Sequence, residues 1–153
     1  MDAGHLGVMF SESAIAHAAR PATRLLVGED QWAVRSYAAL AADVRRLAGR
    51  LIALGLDPGD RVAIFATNVP EWTLVDLACA YAGLVSVPLY PTSTPDQARH
   101  ILSNSGCRFA FVAGADELTK LAQIRDQLPD LAQVVSFTVV PGMTASSLAD
   151  ELA

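Results

Sequence analysis

Residues 61–112 read RVAIFATNVPEWTLVDLACAYAGLVSVPLYPTSTPDQARHILSNSGCRFAFV. Three short apolar runs stand in this stretch: Arg61 to Ala66, Val85 to Leu89 and Arg108 to Val112. None alternates cleanly between apolar and polar, which is the pattern of strands covered on both faces. Helical segments fall between them. Pro70 can open a helix at its first position, where the missing N–H costs nothing. That segment runs to about Ala82 and stops at Gly83. Thr94-Pro95-Asp96-Gln97 is a capping box with proline at the first helical position. The helix it opens ends near Ser105-Gly106. Strand and helix alternate, so the stretch predicts a parallel sheet with helices on its two faces.

The alternation continues downstream. Asp116 to Gln127 predicts a helix closed by Pro129, and Val134 to Phe137 a fourth strand. Upstream, Tyr37, Leu40, Val44, Leu47, Leu51 and Leu54 recur at steps of three and four, which places them on one helix face. Ser36 suits the N-cap of that helix and Gly55 the position just past its end. Asp57-Pro58-Gly59-Asp60 reads as a turn. Leu25 to Gly28 and Trp32 to Ser36 predict two strands around a Glu29-Asp30-Gln31 turn. Ser11 to Ala19 predicts a short helix ended by Pro21. From Pro141 the chain turns polar, with a weak final helical turn. The fold class is therefore α/β: an incomplete doubly wound parallel sheet of four strands with flanking helices. No closing element follows, as expected of a chain cut inside a larger domain.

A length of 153 residues allows one domain and a core that buries about two-thirds of the unfolded chain's surface. Hydrophobic residues make up 52% and charged residues 18%. That is too apolar for disorder, and it exceeds the about 45–50% usual for a self-contained domain. The excess marks a surface suited to meet more protein. The net charge is −5, and no basic stretch is dense enough to follow a nucleic-acid backbone. Arg45, Arg46 and Arg50 form a local basic group that reads as a solvated helix face. Cys79 and Cys107 form no CxxC motif and read as buried, reduced thiols. The run from Leu77 to Val85 is far short of the about 20 residues that span a bilayer. The first positive side chain is Arg20, which leaves no charged start for a signal peptide. A cytoplasmic protein without a transmembrane segment is expected.

The search for chemistry excludes more than it finds. A phosphate loop needs two glycines set four residues apart, then lysine and a hydroxyl residue. The chain has one lysine, Lys120, and no glycine pair stands before it in that spacing. There is no GxGxxG and no serine flanked by glycines as in a hydrolase elbow. His5, His17 and His100 have no metal-ligand spacing with each other or with the cysteines. No catalytic residue and no metal ligand is assigned. The best candidate for a binding loop is Tyr90-Pro91-Thr92-Ser93-Thr94. It leaves the carboxyl end of a predicted parallel strand, where doubly wound folds place ligands. The hydroxyls of Tyr90, Thr92, Ser93 and Thr94 could meet a phosphate or a carboxylate. The same residues also read simply as a turn followed by a cap. Asn68 is a candidate cap at the preceding strand-to-helix junction, and Glu71 suits the positive end of that helix.

Six segments, taken together in order and spacing, resemble the N-terminal region of the adenylate-forming acyl-CoA synthetases. They are Ser36-Tyr37-Ala38-Ala39-Leu40, the run from Leu54 to Ala63, Asn68-Val69-Pro70-Glu71-Trp72, Tyr81-Ala82-Gly83, the run from Val87 to Ser93, and Ile101 to Gly106. Ala39 departs from the acidic residue frequent in that family. The Tyr90-Pro91-Thr92-Ser93 version of the loop resembles the long-chain fatty-acid branch. The resemblance implies that a fatty-acid carboxylate attacks the α-phosphate of ATP to give acyl-AMP, which the CoA thiol then resolves. It implies Mg2+, a lysine-bearing phosphate loop and a second lysine on a small C-terminal domain. Lys120, within Asp116-Glu117-Leu118-Thr119-Lys120-Leu121, resembles neither lysine motif. Residues 1–153 are thus expected to form a partial N-terminal domain, the first part of the large domain of that fold. The phosphate loop, the rest of the large domain and the C-terminal domain would lie outside them. The expected function is that of a truncated or split fatty-acid–CoA ligase. Its parent would use ATP, Mg2+, CoA and a long-chain fatty acid, while the fragment alone would be inactive and hold no cofactor. The expected partner is the missing remainder of the ligase or a paralogue. Two alternatives stay open. One is a non-catalytic interaction module; the other is a fragment of a fatty-acyl-AMP ligase or of a carrier-loading adenylation domain.

Overall fold

The computed structural model describes residues 5–143 and 145–153. Its helices are α1 (Leu6–Ala16), α2 (Tyr37–Ala53), α3 (Pro70–Ala82), α4 (Pro95–Ser105), α5 (Ala115–Ala122) and α6 (Leu148–Leu152). Its strands are β1 (Pro21–Gly28), β2 (Gln31–Ser36), β3 (Arg61–Phe65), β4 (Val85–Leu89), β5 (Phe109–Val112), β6 (Gln133–Ser136) and β7 (Ser146–Ser147). Strands β3 to β7 form one sheet in the order β4-β3-β5-β6-β7, and every neighbouring pair is parallel. Strands β1 and β2 pair antiparallel as a separate hairpin.

The apolar runs that lacked alternation do alternate in space, because both faces of the sheet are buried. Val62 and Ile64 of β3 and Phe109 and Phe111 of β5 face one core, shared with α1, α2, α3 and Leu148 of α6. Ala63 and Phe65, with Ala110 and Val112, face a second core against α4 and α5. Helix α2 supplies Leu40, Val44, Leu47 and Leu51 to the first core, at the spacing read from sequence. Ser36 caps it, the hydroxyl accepting from the Ala39 N–H at 3.2 Å.

The amino ends of the strands are tied by arginines. Arg61 donates from Nε to the Ser105 carbonyl at 2.8 Å and from Nη2 to the Gly106 carbonyl at 3.1 Å, so it closes the carboxyl end of α4. A Cβ on Gly106, which sits at φ +64°, would lie 2.8 Å from that guanidinium. Arg108 donates to Asp60 Oδ2 at 2.6 Å, and the same oxygen accepts the Asp57 N–H at 3.0 Å.

Several elements differ from expectation. Helix α1 begins at Leu6 rather than Ser11 and ends at Ala16. His5 caps it through Nδ1, which accepts the Gly7 N–H at 3.1 Å. The segment expected as one helix from Asp116 to Gln127 stops at Ala122, and a single 3-10 turn follows at Arg125–Gln127. The break lets Ile124 and Leu128 both reach the second core. Among the described residues the sheet has five strands instead of four, because Ser146 and Ser147 pair with Val135 and Ser136. The basic group on α2 is not simply solvated. Arg50 Nε pairs with the buried Glu151 carboxylate at 2.8 Å, and Arg46 donates to the Leu152 carbonyl at 2.9 Å. Gln133 and Ser146 donate to the other Glu151 oxygen, so α2, β6, β7 and α6 meet at one carboxylate.

Candidate functional site

Strand β3 leads into α3 on one face of the sheet, and β5 leads into α5 on the other. The point where the strand order reverses therefore lies between the carboxyl ends of β3 and β5, the crevice where such sheets accept ligands. Ala66 and Thr67 follow β3 there, and Ala113 and Gly114 follow β5. The loop from Tyr90 to Thr94 leaves β4, one strand further out on the same edge.

That loop is held by a turn and a cap. The Ser93 N–H donates to the Tyr90 carbonyl at 2.9 Å, which closes a turn. Thr94 Oγ1 accepts from the Gln97 N–H at 3.3 Å, and Gln97 Oε1 accepts from the Thr94 N–H at 2.9 Å. The Thr94 hydroxyl is thus engaged in capping α4, as the motif requires. Tyr90 stands 82% exposed, whereas Ser93 is 8% exposed. Tyr90, Thr92, Ser93, Asp96, Gln97 and His100 line an open cleft of about 590 Å³ along α4. A second cleft, of about 400 Å³, lies between the ends of β3 and β4 and takes in Thr67, Asn68, Trp72, Pro88, Tyr90 and Pro91. Tyr90 borders both.

The structure brings Tyr90, Thr92 and Ser93 to one cleft and adds His100, which lies too far along the sequence to be grouped with them. Asn68 does not cap α3. Val69 takes the boundary position, held extended at φ −120° by Pro70 beside it, and its apolar side chain makes no capping bond. Asn68 is left exposed in the second cleft. Among the described residues, no group of three or more His, Cys, Asp and Glu side chains converges as metal ligands would.

Charge decides what the first cleft can take. The Asp96 carboxylate is the one fixed charge among the six lining residues named, and it lies 3.8 Å from Arg99. Among the described residues, no guanidinium or ammonium lines the cleft. Lys120 comes near but is committed elsewhere: its Nζ donates to the Pro91 carbonyl at 2.7 Å and pairs with Asp116 at 2.7 Å. A triphosphate would meet no counter-charge here, so these residues do not fit ATP. They fit hydrogen bonding to neutral groups.

Both thiols are free and buried. Burial pushes Cys79 up to about 12, with the neighbouring Asp76 charge adding to it. Burial also raises Cys107, against a hydrogen bond with Ser105 and the Arg61 charge. Asp60 is held below its ordinary range, first by the Asp57 N–H and then by Arg108. No helix among the described residues is long and apolar enough to cross a membrane.

Comparison with known proteins places this geometry in context. The family described as AMP-binding enzyme matches residues 10–151. The long-chain-fatty-acid–CoA ligase FadD15 of Mycobacterium bovis is 35% identical over 104 residues, which is 68% of this chain and 17% of that protein. The peroxisomal long chain acyl-CoA synthetase 6 of Arabidopsis thaliana is 33% identical over 120 residues, 78% of this chain and 16% of that protein. Among solved structures, the N-terminal domain of FACL13 from Mycobacterium tuberculosis superposes with a TM-score of 0.80 at 27% identity, over 97% of this chain and 35% of that one. The chain therefore spans about a sixth of the length of these curated relatives.

Proposed function

This chain belongs to the AMP-binding enzyme family, and on that premise we propose that it is the first part of an ATP-dependent long-chain fatty-acid–CoA ligase. Residues 1–153 form a partial N-terminal domain; the lysine-bearing phosphate loop, the remainder of the large domain and the C-terminal domain belong to other sequence. The parent activates a long-chain fatty acid through acyl-AMP to acyl-CoA, with Mg2+, in the cytoplasm. The chain alone is inactive and contributes scaffold. One observation carries this reading. The family match runs through residues 10–151, yet the single lysine is held by Pro91 and Asp116 rather than offered to a phosphate.

The loop from Tyr90 to Ser93 is proposed as this chain's contribution to a ligand face, with Thr94 holding its position. The partner is the remainder of the ligase. The exposed hairpin supports a partner: Leu26 and Trp32 lie opposite each other in register, both are more than half exposed, and Val27 and Val34 are as well. Apolar side chains gathered on so thin an element mark a surface that meets protein. The same hairpin favours a second reading, in which the chain binds another ligase polypeptide without taking part in catalysis. An acyl-AMP ligase or a carrier-loading enzyme as parent would use the same scaffold.

The test is an acyl-CoA assay with ATP, Mg2+, CoA and palmitate. It is run on the chain alone and on the chain mixed with the complementary part of a FadD15-type relative. Acyl-CoA from the mixture and none from the chain alone is expected. Turnover by the chain alone would sink the scaffold reading. A stable complex without turnover would favour the binding module. Acyl-AMP that accumulates without acyl-CoA would move the parent to the acyl-AMP ligases.

A further inference from the structure

Lys120 is the single lysine of the chain, and its ammonium has two short polar contacts. Its Nζ donates to the Pro91 carbonyl at 2.7 Å and forms an ion pair with Asp116 Oδ2 at 2.7 Å. The ring of Phe65 lies against it, its centroid 5.6 Å from Nζ. The bond to Pro91 crosses from α5 to the loop after β4. The other polar contacts of that loop are local: the turn from Ser93 to Tyr90 and the capping box of Thr94 and Gln97. Among the described residues, the lysine makes the one hydrogen bond that ties the stretch between Tyr90 and Thr94 to a distant element.

What this bond holds in place matters. Ser93 is more than nine-tenths buried and lines the cleft along α4. Among the described residues its hydroxyl has no hydrogen-bond partner, and neither has that of Thr92. Both residues line the open cleft, so their hydroxyls stand free to meet a ligand there. The position of both hydroxyls follows the Pro91 carbonyl, which is adjacent in the chain to Thr92.

We propose that Lys120 is a positioning residue: it latches the loop after β4 to α5, and so fixes the Thr92 and Ser93 hydroxyls toward the cleft without lining that cleft itself. The latch is local. It needs the ammonium's charge and reach, and the Phe65 ring keeps the cation in place. It goes beyond the ligase reading, and the test below is made on the 153-residue chain, so failure of acyl activation leaves it untouched.

The experiment is residue-resolved amide hydrogen exchange on the wild type and on Lys120→Met, Lys120→Gln and Lys120→Arg. The Ser93 and Thr94 amides report the loop, and Ala63 and Ile64 of β3 report the sheet. In the two neutral variants the loop amides are expected to exchange about tenfold faster, the ratio that loss of one charge-assisted hydrogen bond implies, while the β3 amides keep their rates. Lys120→Arg, which keeps a cation and a donor, should restore most of the protection. Unchanged loop exchange in the neutral variants would overturn the latch. So would an equal rise at loop and sheet, or failure of both neutral variants to fold, since Lys120 would then serve the fold as a whole.

Discussion

Gly7 shows how much one missing side chain decides. A Cβ there would lie 2.9 Å from the Tyr81 Cα and 3.0 Å from the Ala80 carbonyl, both backbone atoms of α3 that cannot swing aside. Gly7→Ala should therefore push α1 off α3 and cost about 1–3 kcal/mol. A thermal melt, with limited proteolysis ahead of Pro21, would read it; an unchanged melt would mean that α1 packs elsewhere. At Cys79, a thiol raised to about 12 is ionised to about one part in ten thousand at pH 8. Neither cysteine of the native chain should react with a thiol reagent until the chain unfolds, and labelling at the rate of a free thiol would place them at the surface. The residues legible in sequence were those whose job is local. Ser36 and the Thr94–Gln97 pair cap helices within three residues of themselves, and sequence spacing shows that. Gly7, Lys120 and Glu151 act on elements far along the chain, and no spacing reveals such partners.

At the scale of elements, the capping box of α4 offers a direct check. Thr94→Ala removes the acceptor for the Gln97 N–H and should cost about 1 kcal/mol, read from denaturant midpoints. A change within error would mean that the helix start is held by packing alone. The docking of α6 on α2 offers another. Glu151→Ala leaves Arg50, Gln133 and Ser146 without their shared acceptor and should cost about 1–3 kcal/mol. Arg50→Ala should cost less, because its side chain is about half exposed and water replaces the pair. Strands β3, β4 and β5 and helices α2, α3 and α4 could be drawn from sequence nearly to the residue, since their apolar periods are long and their ends carry Ser, Pro or Gly. The end of α5 could not, because Ile124 and Leu128 are apolar whether the helix continues or breaks. Strand β7 could not, because two serines carry no strand signal and pair only where β6 presents its edge.

For the molecule as a whole, acid should be a specific stress. The folded pKa of Asp60 lies below its ordinary 3.8, and that of Asp150 is lowered too, by the Ser147 hydroxyl and N–H. A lowered carboxylate pKa adds stability that is fully present above the unfolded value and is lost as pH falls through the folded one. Stability should therefore hold from neutral pH to about 4 and fall below it. Asp60→Asn should flatten part of that fall; an acid transition identical in the variant would remove Asp60 from the cause. The fold class and the loop after β4 were visible in sequence. The reversal of strand order between β3 and β5 was not, since order is a property of the assembled sheet. That order also has a meaning in time. Once β3 and β4 have paired, β5 adds on the free side of β3, and β6 and β7 each add beside the strand just placed, in the order in which a ribosome would release them. The nascent chain can lay down its sheet as it emerges, with no strand waiting for a neighbour that has yet to be translated.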